Sequence, residues 1–246
     1  MFKIEMLYPE VANLFGDTFN IEFLRRSINE TTKEDSVEII KTTLTETPRF
    51  LSEDMDLVYM GPMPEYAQEL AIEALKPHRA RIKELIDAGK VFLFTGNSFE
   101  IFSEYIEKED GEKIECLGIY KGHATRRMMA RYNSLYLGKL ESENMDIIGF
   151  KSQFTKMHDV PQEIKAFHTI RECEAADTAV DEGVRINNFF GTYLLGPLLI
   201  VCPTFTKYLM KLMGVPGEPV LSCEDYTMFC YDERMKDFTD PTKDFH

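Results

Sequence analysis

The stretch VFLFTGNSFEIF, residues 91–102, decides the fold. Val91–Phe94 is fully apolar, as a strand buried within a sheet is. The turn Thr95-Gly96-Asn97 follows, and the pattern then predicts a helix from Ser98 through Tyr105, with Thr95 at the tip of the turn. Upstream, Glu65–Gly89 carries Leu70, Ile72, Leu75, Ile82, Leu85 and Ile86 at near-helical spacing. Pro77 interrupts that helix once, and Gly89 stands where a C-cap is expected. A helical region, a buried strand, a tight turn and a second helix make an α/β layer fold with a largely parallel sheet.

Working outward, Phe2–Leu7, Val37–Leu44 and Asp56–Met60 read as strands, and Asn20–Asn29 as a helix with Ile21, Phe23, Leu24 and Ile28 inward. From Gly111 to about Ala179 the pattern is irregular and strand-rich. Asn188–Tyr193 reads as a further strand, Thr204–Met213 as a helix, and the tail from Cys223 as a helix lying on the body. There is no internal repeat, low-complexity tract or linker, so residues 1–246 are expected to form one domain.

With 42 acidic and 28 basic residues the formal net charge is −14, which repels a phosphate backbone and an anionic membrane surface. No apolar run reaches the ~20 residues of a membrane span, and no basic-then-apolar leader opens the chain. The five cysteines (Cys116, Cys173, Cys202, Cys223, Cys230) form no CxxC pair, which favours reduced thiols in a cytoplasmic protein. Whether Cys223 and Cys230 approach one another the sequence leaves open. It offers no metal-ligand set and no cofactor motif, so none is expected.

A buried strand entering a tight turn before a helix is how hydrolases and amidotransferases present a nucleophile, with backbone N–H donors and a helix N-terminus beside it. It is also an ordinary βα connection with Thr or Asn capping the helix. An internal threonine such as Thr95 needs a separate base to activate its hydroxyl.

Four stretches add to this: LYPEVANLFGDTFNIEFLRR (7–26), DLVYMG (56–61), ELIDAGKVFLFTGNSFEIF (84–102) and FFGTYLLGPLLIVCP (189–203). In this order they resemble the class I glutamine amidotransferases of the cobyric acid synthase type, above all the branch that serves lipid II amidation in the cell wall. The resemblance spans nearly the whole chain and weakens after about Gly214. It implies a three-layer, flavodoxin-like α/β fold with a largely parallel central sheet, and a Mur-ligase-like partner subunit.

The family's elbow reads roughly CGGYQ, its cysteine being the nucleophile. The resemblance sets Thr95 in the cysteine's place, followed by Gly96, Asn97, Ser98 and Phe99. The family's base is the histidine of GTYLHGP, and Leu195 of Gly191–Pro197 stands there. A GGGQ-like loop is Gly61-Pro62-Met63-Pro64 here, and prolines have no N–H to offer an oxyanion. The GFENH segment is Gly149-Phe150-Lys151-Ser152-Gln153.

Changes in separate segments of one site imply a glutaminase-like fold without glutaminase chemistry, one that scaffolds or regulates its ligase. The pocket residues would be Gly61, Pro62, Gly96, Asn97, Ser98, Phe99 and Gln153. Two rival readings are an enzyme with a relocated nucleophile, such as Thr95 supported by Glu100, and a module binding a small molecule in a pocket made more apolar by Leu195, Phe99 and Phe154.

Elsewhere, His123, Arg126 and Arg127 form a basic patch read as solvated surface or an anion site. His168 and Cys173 are five residues apart, a spacing that favours neither a metal site nor a shared helix face. Cys202 reads as core, Asp17 as turn chemistry, and Glu100 with Glu104 as one solvated helix face. The pairs Met128-Met129 and Met210/Met213 read as core or interface filling.

Overall fold

The computed structural model describes residues 1–172 and 181–243. The first half alternates strands and helices: β1 (Phe2–Leu7), α1 (Phe19–Thr32), β2 (Val37–Thr42), β3 (Leu57–Met60), α2 (Glu65–Leu75), α3 (Arg79–Asp87) and β4 (Phe92–Thr95). A 3-10 helix, Gly96–Phe102, follows β4 directly. The middle is strand-rich, with β5 (Tyr105–Glu107), β6 (Lys113–Glu115), β7 (His123–Arg126), β8 (Tyr132–Leu140), β9 (Met145–Gln153) and β10 (Thr155–His158). It continues through β11 (Lys165–Glu172), β12 (Glu182–Ile186) and β13 (Phe189–Thr192) to α4 (Leu198–Val201), α5 (Pro203–Leu212) and α6 (Glu224–Thr239).

Nine strands form one sheet in the order β2-β1-β3-β4-β13-β12-β11-β8-β9. The first five are mutually parallel. The rest join antiparallel, so the sheet is mixed and its parallel half holds the expected α/β core. A small sheet, β10-β7-β5-β6, stands apart from it.

Alternation along the central strands divides the core into two layers. Val58, Met60, Phe92 and Phe94 face α2, α3 and the 3-10 helix. Leu57, Tyr59, Val91 and Leu93 face α1, α4 and α5. The first layer holds an aromatic cluster in which Phe94 stacks on Phe102 at 4.8 Å and meets Phe189 edge-on at 5.5 Å. Rings at such offsets add to the burial of their apolar area.

Two expected helices differ. The Glu65–Gly89 segment breaks into α2 and α3 around the 3-10 turn Lys76–His78, because Pro77 has no N–H and its ring blocks the preceding turn. The helix expected through Tyr105 ends at Phe102; Ser103 is extended, and Tyr105 opens β5. Glu100 and Glu104 therefore share no helical face. Glu100 is fully buried, while Glu104 is exposed.

The last helix, α6, lies on the antiparallel end of the sheet as expected. Tyr231, Met235 and Phe238 pack on Leu137 and Ile148, and the Arg171 guanidinium donates to the Asp240 carbonyl at 2.7 Å. Among the described residues no helix is long and apolar enough to cross a membrane.

Candidate functional site

Strand pairing continues through Thr95, which sits opposite Thr192 in extended geometry. Alternation then aims its side chain at the α1 layer, on the same face as Leu93 and away from the 3-10 helix. There the Thr95 hydroxyl donates to Asp17 and lies 3.2 Å from the Tyr59 hydroxyl, fully buried. Thr95 is thus not the tip of the turn. The left-handed residue is Gly96, at φ +60°.

Gly96 is also the point of closest approach. A Cβ built there would stand 2.4 Å from the Pro62 Cβ, so Pro62 occupies the space a side chain at position 96 would use. The two loops are bound together around this contact. The Asn97 side chain accepts from the Met63 N–H at 3.0 Å and donates to the Met63 carbonyl at 2.8 Å. Ser98 donates to the Met60 and Thr95 carbonyls, and Gln68 donates to the Asn97 carbonyl at 2.6 Å. The Met63 N–H is therefore already spent on Asn97. Gly61, Pro62, Gly96, Ser98 and Phe99 are all buried.

Of the expected pocket, then, the structure packs Pro62 against Gly96 and ties Asn97 and Ser98 to the same loop through Met63 and Met60, while Gly61 closes on the Ala12 carbonyl instead. Leu195 exchanges both backbone hydrogen bonds with Phe150, at 2.8 and 3.2 Å, and its side chain is buried. Phe99 and Gln153 line a different space. It is a cavity of about 350 Å³ enclosed by β9 to β12, the small sheet and the end of β13, with walls that include Phe154 and Tyr193.

Two buried acids flank the turn. Asp17 accepts the Tyr59 hydroxyl at 2.5 Å as well as that of Thr95, while its second carboxylate oxygen has no partner among the described residues. Burial pushes its pKa up to about 6, against the pull of those hydrogen bonds. Turn chemistry was expected of Asp17, and it does join the loop before α1 to β3 and β4.

Glu100 accepts from Gln68 at 2.8 Å, Tyr193 at 2.7 Å and Thr155. Burial raises its carboxyl above the usual range despite three donors and the nearby Arg126. Thr95 and Glu100 thus belong to separate networks, and the pairing of one with the other as nucleophile and base has no geometric support.

Other sequence candidates resolve one by one. Arg126 is not solvated surface: it is buried, with its guanidinium 2.7 Å from Glu69 and 3.1 Å from Gln68. His123 stacks between Tyr105 and His158, with centroids at 4.7 and 5.3 Å. His168 pairs with Asp181 at 2.9 Å, and Cys173 lies outside the described residues. Cys202 is core, whereas Cys223 and Cys230 are exposed free thiols. Met210 and Met213 are buried, but Met128 and Met129 are exposed.

Sequence reasoning missed a third network. Lys151 pairs with Glu172 at 2.7 Å, both nearly buried, beside the fully buried Glu182. Glu182 accepts from the Thr192 hydroxyl at 2.7 Å and the Tyr193 N–H at 2.8 Å, and burial raises its pKa. The one signal for Glu100 was a charge inside the apolar run SFEIF. Glu182 gave none.

Residues 3–199 match the CobB/CobQ-like glutamine amidotransferase domain. The chain belongs to that family. Among this family's curated members, the lipid II isoglutaminyl synthase (glutamine-hydrolyzing) subunit GatD of Staphylococcus aureus is 26% identical over 220 residues, covering 84% of each chain. The GatD subunit of Streptococcus pneumoniae is 24% identical over 201 residues, covering 80% of this chain and 74% of its own.

Solved structures agree on the amidotransferase fold. PurLQS from Thermotoga maritima aligns with a TM-score of 0.53 at 12% identity, over 95% of this chain and 99% of that one. The glutaminase domain of Trypanosoma brucei CTPS, with bound acivicin, aligns at 0.51 and 8% identity over 90% and 98%. The three-layer α/β fold expected from the sequence is the family's fold.

Proposed function

We propose that this chain is a catalytically degenerate member of the amidotransferase family that acts by binding, as a scaffolding or regulatory subunit of a Mur-ligase-like partner. The observation carrying the reading is the contact between Gly96 and Pro62. A nucleophile elbow needs a side chain at its left-handed residue, and here that residue has none and its space is filled.

Setting Gly96 rather than Thr95 against the family's cysteine also improves the alignment with CGGYQ. Phe99 then matches the tyrosine and Glu100 the glutamine. In this register nucleophile and base are both lost, to Gly96 and Leu195. Loss of either member of such a pair removes several orders of magnitude of rate, and the second loss adds little. The partner half of the proposal rests on the relatives: both GatD proteins are subunits of a synthase.

The test is ammonia release from L-glutamine by the purified chain, beside two variants. The wild type and Thr95→Cys/Leu195→His are expected to be silent, since position 95 faces the α1 layer. Pro62→Gly/Gly96→Cys/Leu195→His opens the elbow and supplies both missing groups, so any revived turnover is expected there. Wild-type turnover that persists through a second, orthogonal purification would refute degeneracy. Failure of an affinity-tagged chain to co-purify any ATP-dependent ligase from its native host would refute the partner assignment.

A further inference from the structure

The cavity beside the closed elbow is unused by that proposal, and its walls have a definite chemistry. Among the described residues Gly61, Pro62, Gly96, Asn97 and Leu195 are not part of its lining, so it is a space separate from the elbow. Phe99, Phe154, Tyr193 and Val184 give it apolar walls.

Its three acids are each engaged by the protein. Glu172 is held by Lys151, Asp181 by His168 and the Thr169 N–H, and Glu182 by Thr192 and the Tyr193 N–H. Its cations are in surplus. Lys165 is half-buried within the field of Glu182 and Asp181 and Lys156 is exposed; among the described residues neither side chain has a hydrogen-bonded partner, and Arg127 donates only to the carbonyl of its neighbour Arg126. In a chain of net charge −14, a cavity whose four Lys and Arg side chains outnumber its three described carboxylates favours an anion over a cation, and the one buried acceptor left without a partner among the described residues is the neutral Gln153 Oε1.

We propose that this cavity binds a small organic anion, its charged group held by Lys165 with Arg127 and Lys156, its apolar body against Phe99, Phe154 and Tyr193. A volume of about 350 Å³ suits a ligand of one or two rings. Burial holds the Lys165 ammonium below the ordinary lysine range, and a bound anion would replace the water it has lost. The site does not depend on whether the elbow is silent.

The experiment is fluorine NMR of the full chain with three probes of one shape: 4-fluorobenzoate, 4-fluorobenzyl alcohol and 4-fluorobenzylammonium. The carboxylate is expected to bind best and the ammonium least. Lys165→Met is expected to weaken the carboxylate about tenfold, the worth of one charge-assisted hydrogen bond. Should that variant fail to fold, Arg127→Gln/Lys156→Gln changes only exposed side chains and is expected to weaken binding in the same direction. Equal binding of the three probes, no binding of the carboxylate, or an affinity unchanged in the charge variants would overturn the proposal. Displacement by L-glutamine at an equal concentration would also overturn it, since the cavity would then be an amino-acid subsite.

Discussion

Replacing Asp17 by Asn isolates the electrostatic cost stored beneath the elbow. The Asp17 carboxyl is fully buried, with one oxygen accepting from Thr95 and Tyr59 and the other unpartnered. Its pKa rises from 3.8 to about 6, so the native state binds the proton more tightly than the unfolded chain does. Its contribution to stability is therefore complete below pH 3.8, declines as pH rises towards 6, and is constant above. A shift of roughly two units corresponds to about 3 kcal/mol lost between those limits.

Asn cannot ionise. Its amide oxygen can accept the two hydroxyl bonds, while its NH2 enters the place of the unpartnered oxygen, at a cost of about 1 kcal/mol. Asp17→Asn is thus expected to exceed the wild type by about 2 kcal/mol at pH 7, with the advantage falling to zero between about pH 4 and 5 and reversing below. The chain has no tryptophan, so urea unfolding followed by far-UV circular dichroism from pH 4 to 8 is the assay. Other groups titrate too, but the difference between the two proteins cancels them. A difference that stays flat with pH, or that favours the wild type increasingly towards pH 7, would refute the reasoning.

Three further outcomes are expected. Gly96→Ala should lower stability by about 2–4 kcal/mol, from its left-handed backbone and its overlap with Pro62, and adding Pro62→Gly should recover part of this in urea midpoints; strictly additive losses would show that the two residues do not oppose each other. Glu100→Gln keeps an acceptor oxygen for Thr155 and Tyr193 but turns its NH2 towards the Gln68 amide, and should lose about 1 kcal/mol, whereas Glu100→Leu should lose about 3 kcal/mol by orphaning the donors of Gln68, Thr155 and Tyr193; equal losses in thermal unfolding would deny the network its role. Lys151→Met should cost about 3 kcal/mol by leaving Glu172 unpaired, and Lys151→Met/Glu172→Leu should restore most of it, a coupling that a double-mutant cycle reads directly.

Much of the fold was legible because its signals are local. The apolar run Val91–Phe94, the helical spacing after Glu65 and the break at Pro77 each depend on neighbours in sequence, and their elements formed within a residue or two of expectation. The exceptions were the extended backbone from Ser103 to β5, where the helical pattern gave way to pairing with β6 and β7, and the antiparallel half of the sheet. The site was legible only in outline. The altered segments could be named from the sequence, but a one-residue difference in strand length decided which residue stands at the turn.

The sequence by itself determined the buried strand and turn around residue 95, the α/β alternation of the first half and the family to which they belong. Only the tertiary structure decided that Thr95 turns inward to Asp17 and that Pro62 fills the space over Gly96. It alone also showed that Glu100, Lys151 and Glu182 are buried in networks drawn from distant strands. Alternation and spacing are properties of adjacent residues, whereas a side chain's partner across about 40 to 90 positions, as in Thr155 and Tyr193 on Glu100, exists only once the sheet has closed.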